Sequence, residues 1–279
     1  MTENDLPAAD ELRRLAGWNQ TPADWTRLLA LEPGGCFVAE AAGQLAGSVT
    51  TTTYGDALAW LGMMLVHPQL RHQGIGSVLM TRALAYLKLQ NVACVKLDAT
   101  PAGYPLYTRL GFVPEWTLTR WQAQTHGRKP GANTPSKQTR GLEDEDWPAI
   151  ETMDAAVLGQ PRLRLLQSLA KGGSSSLVWP AVGPISGWGL LRPGANAQYL
   201  GPLVCPSPEG ASSLVMDLLA AGSQNAVFWD IPDQNQVAAQ LALRFGFQPV
   251  RPLTRMRLGP NSSLGSPYAQ LGIADPALG

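Results

Sequence analysis

The chain has 279 residues, 45% hydrophobic and only 15% charged, and its 21 basic and 21 acidic side chains give a formal net charge of zero. This length fits about two domains with real apolar cores, and the neutral balance argues against a protein drawn to nucleic acid or to an anionic membrane by a positive field. Three scattered cysteines (Cys36, Cys94, Cys205) and three histidines (His67, His72, His126) argue against a disulfide framework and offer no metal-ligand spacing, no apolar run is long enough to span a bilayer, and the acidic stretch Met1–Asp5 has no apolar h-region, so a cytoplasmic protein without a metal is expected.

In chain order, helical periodicity predicts helices over 8–16 and 22–31. Asp10 and Asp24 are expected as their starts, because a carboxylate accepts orphan N–H bonds and suits the positive helix end. Strands are predicted over 36–41, 45–53 and 58–66, a helix over 75–90, a strand over 92–98, a helix over 104–110 and a strand over 112–120. The polar stretch from Gln122 to Arg140 holds Gly127, Pro130, Gly131 and Pro135 with no hydrophobic period and reads as a linker.

Beyond the linker the order repeats. Trp60-Leu61-Gly62 opens an apolar run that ends at Pro68 and precedes a helical pattern; Tyr199-Leu200-Gly201 opens a run that ends at Pro206 and does the same. Val95-Lys96-Leu97-Asp98 leads to Gly111-Phe112-Val113-Pro114, and Val227-Phe228-Trp229-Asp230 leads to Gly246-Phe247-Gln248-Pro249. The shared order of features, at an offset close to 135 residues, points to a duplication. The expected organisation is a first domain over 1–122, a linker over 123–140, a second domain over 141–258 and a loose tail over 259–279.

The chemically informative stretch is Leu61 to Leu84. Met63-Met64-Leu65-Val66 reads as a buried strand that Pro68 ends. Arg71-His72-Gln73-Gly74-Ile75-Gly76-Ser77 follows, and then Ile75, Val78, Leu79, Arg82 and Tyr86 fall at helical spacing. Strand, glycine loop and helix start together make an anion site. The first helical N–H groups lack intrahelical partners, the helix dipole adds positive potential, and glycines let a diphosphate reach the backbone. A P-loop would need Lys-Ser/Thr after the glycines, and a dinucleotide fingerprint would need a third small residue where Leu79 stands; neither fits.

The run Val66-His67-Pro68-Gln69-Leu70-Arg71-His72-Gln73-Gly74-Ile75-Gly76, followed by Pro105-Leu106-Tyr107-Thr108-Arg109-Leu110-Gly111-Phe112, resembles the acyl-CoA-binding motif and the tyrosine-bearing helix of the GNAT (GCN5-related N-acetyltransferase) family. The second block, with Arg192-Pro193-Gly194, Leu200-Gly201-Pro202-Leu203 and Asp230-Ile231-Pro232-Asp233-Gln234-Asn235, resembles the C-terminal domain of tandem members. The resemblance implies a mixed α/β fold of two tandem domains, each a mostly antiparallel splayed sheet flanked by helices. It implies acetyl-CoA as co-substrate and an amine as acceptor. Leu65 and Val66 would pair with the pantetheine arm, Arg71, His72, Gln73, Gly74, Ile75, Gly76 and Ser77 would cradle the pyrophosphate, and Tyr107 would protonate the departing thiolate. The expected function is N-acetyl transfer; a catalytically silent CoA-binding sensor or interaction module is the alternative. The acceptor, the acyl chain length, N- against O-acylation and the oligomeric state stay open.

His67 is a candidate base, Glu40, Asp56 and Asp98 read as surface or cap groups, and Trp18 and Asn19 read as loop packing, with acceptor contact as the alternative. Shifted by 135 residues, Arg71 falls on Pro206, Gly74 on Glu209, Gly76 on Ala211 and Tyr107 on Ala242. The second block is therefore expected to be a degenerate copy that binds no CoA.

Overall fold

The computed structural model of the chain describes residues 1–55, 57–124, 136–224, 226–260 and 265–279. Two helices, α1 (Leu6–Leu15) and α2 (Pro22–Leu31), come first. Neither aspartate expected at a helix start is the first cap. Asp10 lies inside α1 and pairs with Arg13 at 2.9 Å, while Asp24 lies three residues past the α2 cap Thr21 and accepts from that residue's N–H at 2.7 Å. Reciprocal use of Thr21 and Asp24 satisfies orphan donors that a single cap would leave.

The strands β1 (Phe37–Ala41), β2 (Gln44–Tyr54) and β3 (Leu58–Val66) form an antiparallel meander. After the helix α3 (Ile75–Leu89), the strand β4 (Cys94–Ala99) runs parallel to β3. The helix α4 (Tyr104–Arg109) leads to β5 (Val113–Gln124). In the second half come β6 (Arg140–Gly141), α5 (Trp147–Leu158), α6 (Leu163–Ala170), β7 (Ser175–Trp179), β8 (Gly187–Arg192), β9 (Gln198–Val204), α7 (Pro208–Ala220), β10 (Ala226–Pro232), α8 (Gln236–Arg244), β11 (Gln248–Leu258) and β12 (Gln270–Gly272). From β7 to β11 this is the element order of β2 to β5 with its preceding strand, so each half carries two helices, a meander, a helix, a parallel strand, a short helix and a long strand.

The chain separates into two units whose limits cut across those expected from sequence. The first is Met1–Glu115 with Arg255–Ser262 and Pro276–Gly279; the second is Trp116–Thr254 with Ser263–Asp275. The first unit's sheet runs β1-β2-β3-β4 and is completed by the last residues of β11; the second runs from β11 through β5, β10, β9, β8 and β7 to β6, with β12 on β9. Alternation along a strand says which residues share a face, but not which sheet the strand joins. In the first unit Ala59 and Leu61 of β3 and Val95 and Leu97 of β4 pack with Leu79, Met80 and Ala83 of α3 and with Met256. Gly47 is the close approach in that layer, since a Cβ there would lie 2.9 Å from Leu79 and 3.2 Å from Ile75. The second unit repeats this core, with Leu200, Leu203, Val227 and Trp229 packed against Leu214, Val215 and Leu218 of α7.

Two segments depart from the sequence reading. Of the expected linker, 125–135 lies outside the described residues; Ser136 and Thr139 donate to Asp217 of α7, and Arg140–Gly141 pairs with β7. The expected loose tail is buried at its end. Tyr54 donates its hydroxyl to Leu278 O at 2.8 Å, Trp60 Nε1 donates to Pro276 O at 3.0 Å, and Leu278 is 3% exposed. Buried side-chain donors in the first unit need acceptors, and the tail's carbonyls supply them.

Candidate active site

In the first unit β3 and β4 pair only at Leu58–Cys94, Ala59–Val95 and Trp60–Lys96. Beyond Trp60 they diverge, and among the described residues no strand pairs with the far edge of Leu61–Val66. His67 donates its N–H to Ala46 O of β2 at 2.8 Å. Strand alternation therefore turns the N–H and C=O of Val66, one residue back, toward the open edge. Arg71 Nε donates to that Val66 carbonyl at 3.3 Å.

The loop from Arg71 to Gly74 is exposed, and His72 and Gly74 both take left-handed backbone angles, φ 64° and 83°. Gly74 caps α3, and the first helical hydrogen bond runs from Val78 N–H to Gly74 O at 3.1 Å. The preceding amides of Ile75, Gly76 and Ser77 thus have no helical carbonyl to bond and crown the helix start with donors. Gly76 sits where three elements meet: a Cβ there would lie 3.3 Å from Met64 Cε, 3.4 Å from Leu106 Cδ2 of α4 and 3.8 Å from Val66 Cγ2. The structure thus brings together the open edge at Leu65–Val66, the loop 71–74, the amides 75–77 and α4.

Tyr107 lies on α4, 8% exposed, with its ring edge-on to Phe112 at 6.0 Å. Burial alone pushes its phenol well above the usual tyrosine range, so the hydroxyl keeps its proton at any ordinary pH. His67 is half-buried and its Nδ1 accepts from Gln69 N–H at 3.3 Å, a local cap on the turn after β3. Asp98, expected at the surface, is buried instead: Arg255 donates to both its carboxylate oxygens at 2.8 Å and stacks on Trp60 at 4.4 Å. The α1–α2 loop holds Trp18 and Asn19, and Asn19 is buried. Glu40 is exposed on β1, and Asp56 lies outside the described residues.

Two family models match, both an acetyltransferase (GNAT) domain, over residues 32–114 and 150–267. The chain belongs to the GNAT family. It carries two GNAT domains in tandem. Similar solved structures include a provisionally named acetyltransferase from Pyrococcus horikoshii (23% identity, 100% of this chain and 94% of that one, TM-score 0.84). Others are a tandem GNAT protein from the clavulanic acid biosynthesis pathway (16%, 94% and 98%, TM-score 0.67) and a GCN5-related N-acetyltransferase from Sphaerobacter thermophilus (16%, 99% and 96%, TM-score 0.64). At these identities the likeness is one of fold. No curated protein matches the chain.

The second GNAT domain has the same splay, with β9 and β10 pairing only at Gln198–Val227 and Tyr199–Phe228. There the gap is filled by the chain itself. β12 pairs with β9 at Leu203 and Val204, Trp229 Nε1 of β10 donates to Leu271 O at 2.9 Å, and Ile273 N–H donates to Asp230 O at 3.2 Å. Its helix start is also closed. Ser207 accepts from Gly210 N–H at 3.2 Å, Gly210 packs so tightly on Trp179 that a Cβ would lie 2.7 Å from the ring, and Gln138 bonds both Glu209 and Ser213.

One feature of the first site leaves no mark in the residue pattern. β3 carries a bulge: between Ser48 and Thr50 of β2, its register steps from Leu65 to Gly62, leaving Met63 and Met64 opposite Val49 alone. Met63 takes φ 47°. An unbroken apolar run conceals such a step, because every residue in it suits a buried strand.

Proposed function

We propose that the chain is an acyl-CoA-dependent N-acyltransferase that moves an acetyl group from acetyl-CoA to an amine, with CoA bound only in the first domain. One contrast carries this reading: past Gly62, on which Ala277 of the tail packs, no strand among the described residues pairs with the edge of β3 at Leu65–Val66 and the following helix start has no side-chain cap, whereas the matching edge of β9 is occupied by β12 and its helix start is capped. Open-edge amides can pair with an extended pantetheine arm as a further strand would. The amides of Ile75, Gly76 and Ser77, with Arg71, His72, Gln73 and Gly74, can cradle a diphosphate, each charge-assisted bond contributing about 1.5–3 kcal/mol.

Bound acetyl-CoA supplies an acyl group activated as a thioester. The chain's own groups do the rest. The Val66 N–H faces the edge where a thioester oxygen would gain negative charge, and a fixed donor there favours the transition state. Tyr107, kept protonated by burial, would deliver its proton to the departing thiolate. An ordinary lysine-like amine is neutral in only about one molecule in 2,500 at pH 7, a cost of roughly 4.6 kcal/mol, so the acceptor must lose its proton in the pocket or to a base. His67 is a weak candidate for that base, because its Nδ1 already caps the following turn.

Calorimetry with CoA, together with thiol release from acetyl-CoA over a library of amines, tests the reading. One CoA per chain and amine-dependent release are expected. Two equivalent sites would sink the one-site assignment, and tight binding without release would favour a silent CoA-binding module.

A further inference from the structure

On the reading of the first domain as the acyl-transfer centre, we propose that Ser48 is a positioning residue: its hydroxyl holds the β3 bulge and so decides which backbone amides face the open edge. Ser48 is fully buried and donates its Oγ–H to Met63 O at 2.9 Å. Met63, 1% exposed, holds a positive φ that side chains other than glycine adopt rarely. The extra residue matters because backbone groups alternate between the two edges of a strand. Removing one residue from the ladder reverses the phase of everything after it. With the bulge in place, His67 N–H bonds β2 and Val66 N–H faces the cleft; without it, the Val66 N–H would turn into the sheet.

The second domain serves as an internal comparison. Gly189 pairs with Leu203 and Leu191 with Leu200, so the same two-against-one step recurs on β9, at Gly201 and Pro202. The residue in the place of Ser48 is Gly189, which has no hydroxyl, and Gly201 tolerates its positive φ of 149° without a side chain to clash. The bulge is kept in both domains, but the clamp is present only where the edge is open.

The test uses full-length Ser48→Ala, Ser48→Thr and Ser48→Val; the last two have nearly the same shape and differ by the hydroxyl. Readouts are amide hydrogen exchange at His67, whose N–H bonds Ala46 O of β2 only in the bulged register, kcat for thiol release from acetyl-CoA, and the calorimetric Kd for CoA. In Ser48→Ala and Ser48→Val, exchange should quicken about tenfold and kcat should fall on the order of ten- to a hundredfold, as for misplacement by a fraction of an ångström to 1 Å. The Kd for CoA, set mainly by the start of α3, should change little, and Ser48→Thr should stay near wild type. Wild-type exchange and kcat in Ser48→Ala, or matching behaviour of Thr and Val, would overturn the clamp. A wild-type chain that releases no thiol would overturn the transferase reading instead, and the exchange measurements would still decide the clamp.

Discussion

Gly74 and Gly76, two residues apart, are glycine for different reasons. Gly74 has φ 83° with open space around it, so its constraint is conformational; at Gly76 a Cβ would only touch the ends of Met64, Leu106 and Val66, so a long or charged side chain, rather than a methyl, is what the place resists. Gly76→Glu should therefore abolish CoA binding by calorimetry, a loss of more than about a hundredfold, through crowding and repulsion of the diphosphate. Helix stability should hold, because a carboxylate in the first turn suits the dipole. Tyr107→Phe keeps the ring against Phe112 and removes only the hydroxyl, the proton donor. It should lower kcat by roughly tenfold, less than general acids usually contribute because a thiolate already leaves readily, with the Kd for CoA unchanged. The sign with pH follows from burial. A phenol whose pKa is raised stays protonated as pH climbs, so the wild-type kcat profile should rise as the acceptor amine loses its proton and show no descending limb from Tyr107 below about pH 10. A descending limb below that point, absent in Tyr107→Phe, would show that the phenol ionises earlier than its burial dictates.

At the scale of elements, the same splay of two parallel strands receives opposite treatment in the two domains. β3 ends in an eight-residue passage through His67 to Gly74 before α3, with Arg71 folded back on Val66. β9 passes to α7 through three residues, too few to build a cradle, and its free edge accepts β12. Gly272 makes that insertion possible: a Cβ there would lie 2.6 Å from Trp229 Nε1. Gly272→Leu should push β12 off Trp229, break the Trp229–Leu271 hydrogen bond and lower stability by about 1–3 kcal/mol, as overpacked cores do. Chemical denaturation and tryptophan fluorescence would report it. The number of CoA molecules bound should stay at one, because the closed helix start still lacks a cradle; a second bound CoA would show that β12 alone keeps the site shut.

At the scale of the molecule, one buried ion pair in each domain joins residues more than a hundred positions apart in the chain. Asp98 meets Arg255 in the first unit, and Asp230 meets Arg120 in the second, each through Nε to one carboxylate oxygen and Nη2 to the other. Asp98 and Asp230 occupy matching places in β4 and β10, as do Arg120 and Arg255 in β5 and β11. Each unit therefore takes its arginine from the other half of the sequence. Asp98→Asn would remove the carboxylate charge that takes both guanidinium bonds of the buried Arg255 and should cost about 3–5 kcal/mol, seen as a lowered Tm. An unchanged melting curve would show that the pair does not stabilise the fold.

The order and type of the first half's elements were legible in the sequence, because hydrophobic period is a local property: strands expected at 58–66 and 92–98 are observed at Leu58–Val66 and Cys94–Ala99, and the helix expected at 75–90 is Ile75–Leu89. The duplication was legible too, since matched patterns survive wherever packing does. Gly74 and Gly76 were recognisable because a loop that turns left-handed favours glycine, and because a helix start that faces a ligand with its backbone favours the smallest residue. What the sequence left undecided is which partner each segment finds. The burial of Asp98, the docking of the tail's last residues on Trp60, the filling of the second splay by β12 and the bulge at Met63 all depend on contacts between residues far apart in the chain, and on one backbone step in an unbroken apolar run. Only the folded chain brings those groups within bonding distance, and so only the tertiary structure decides them.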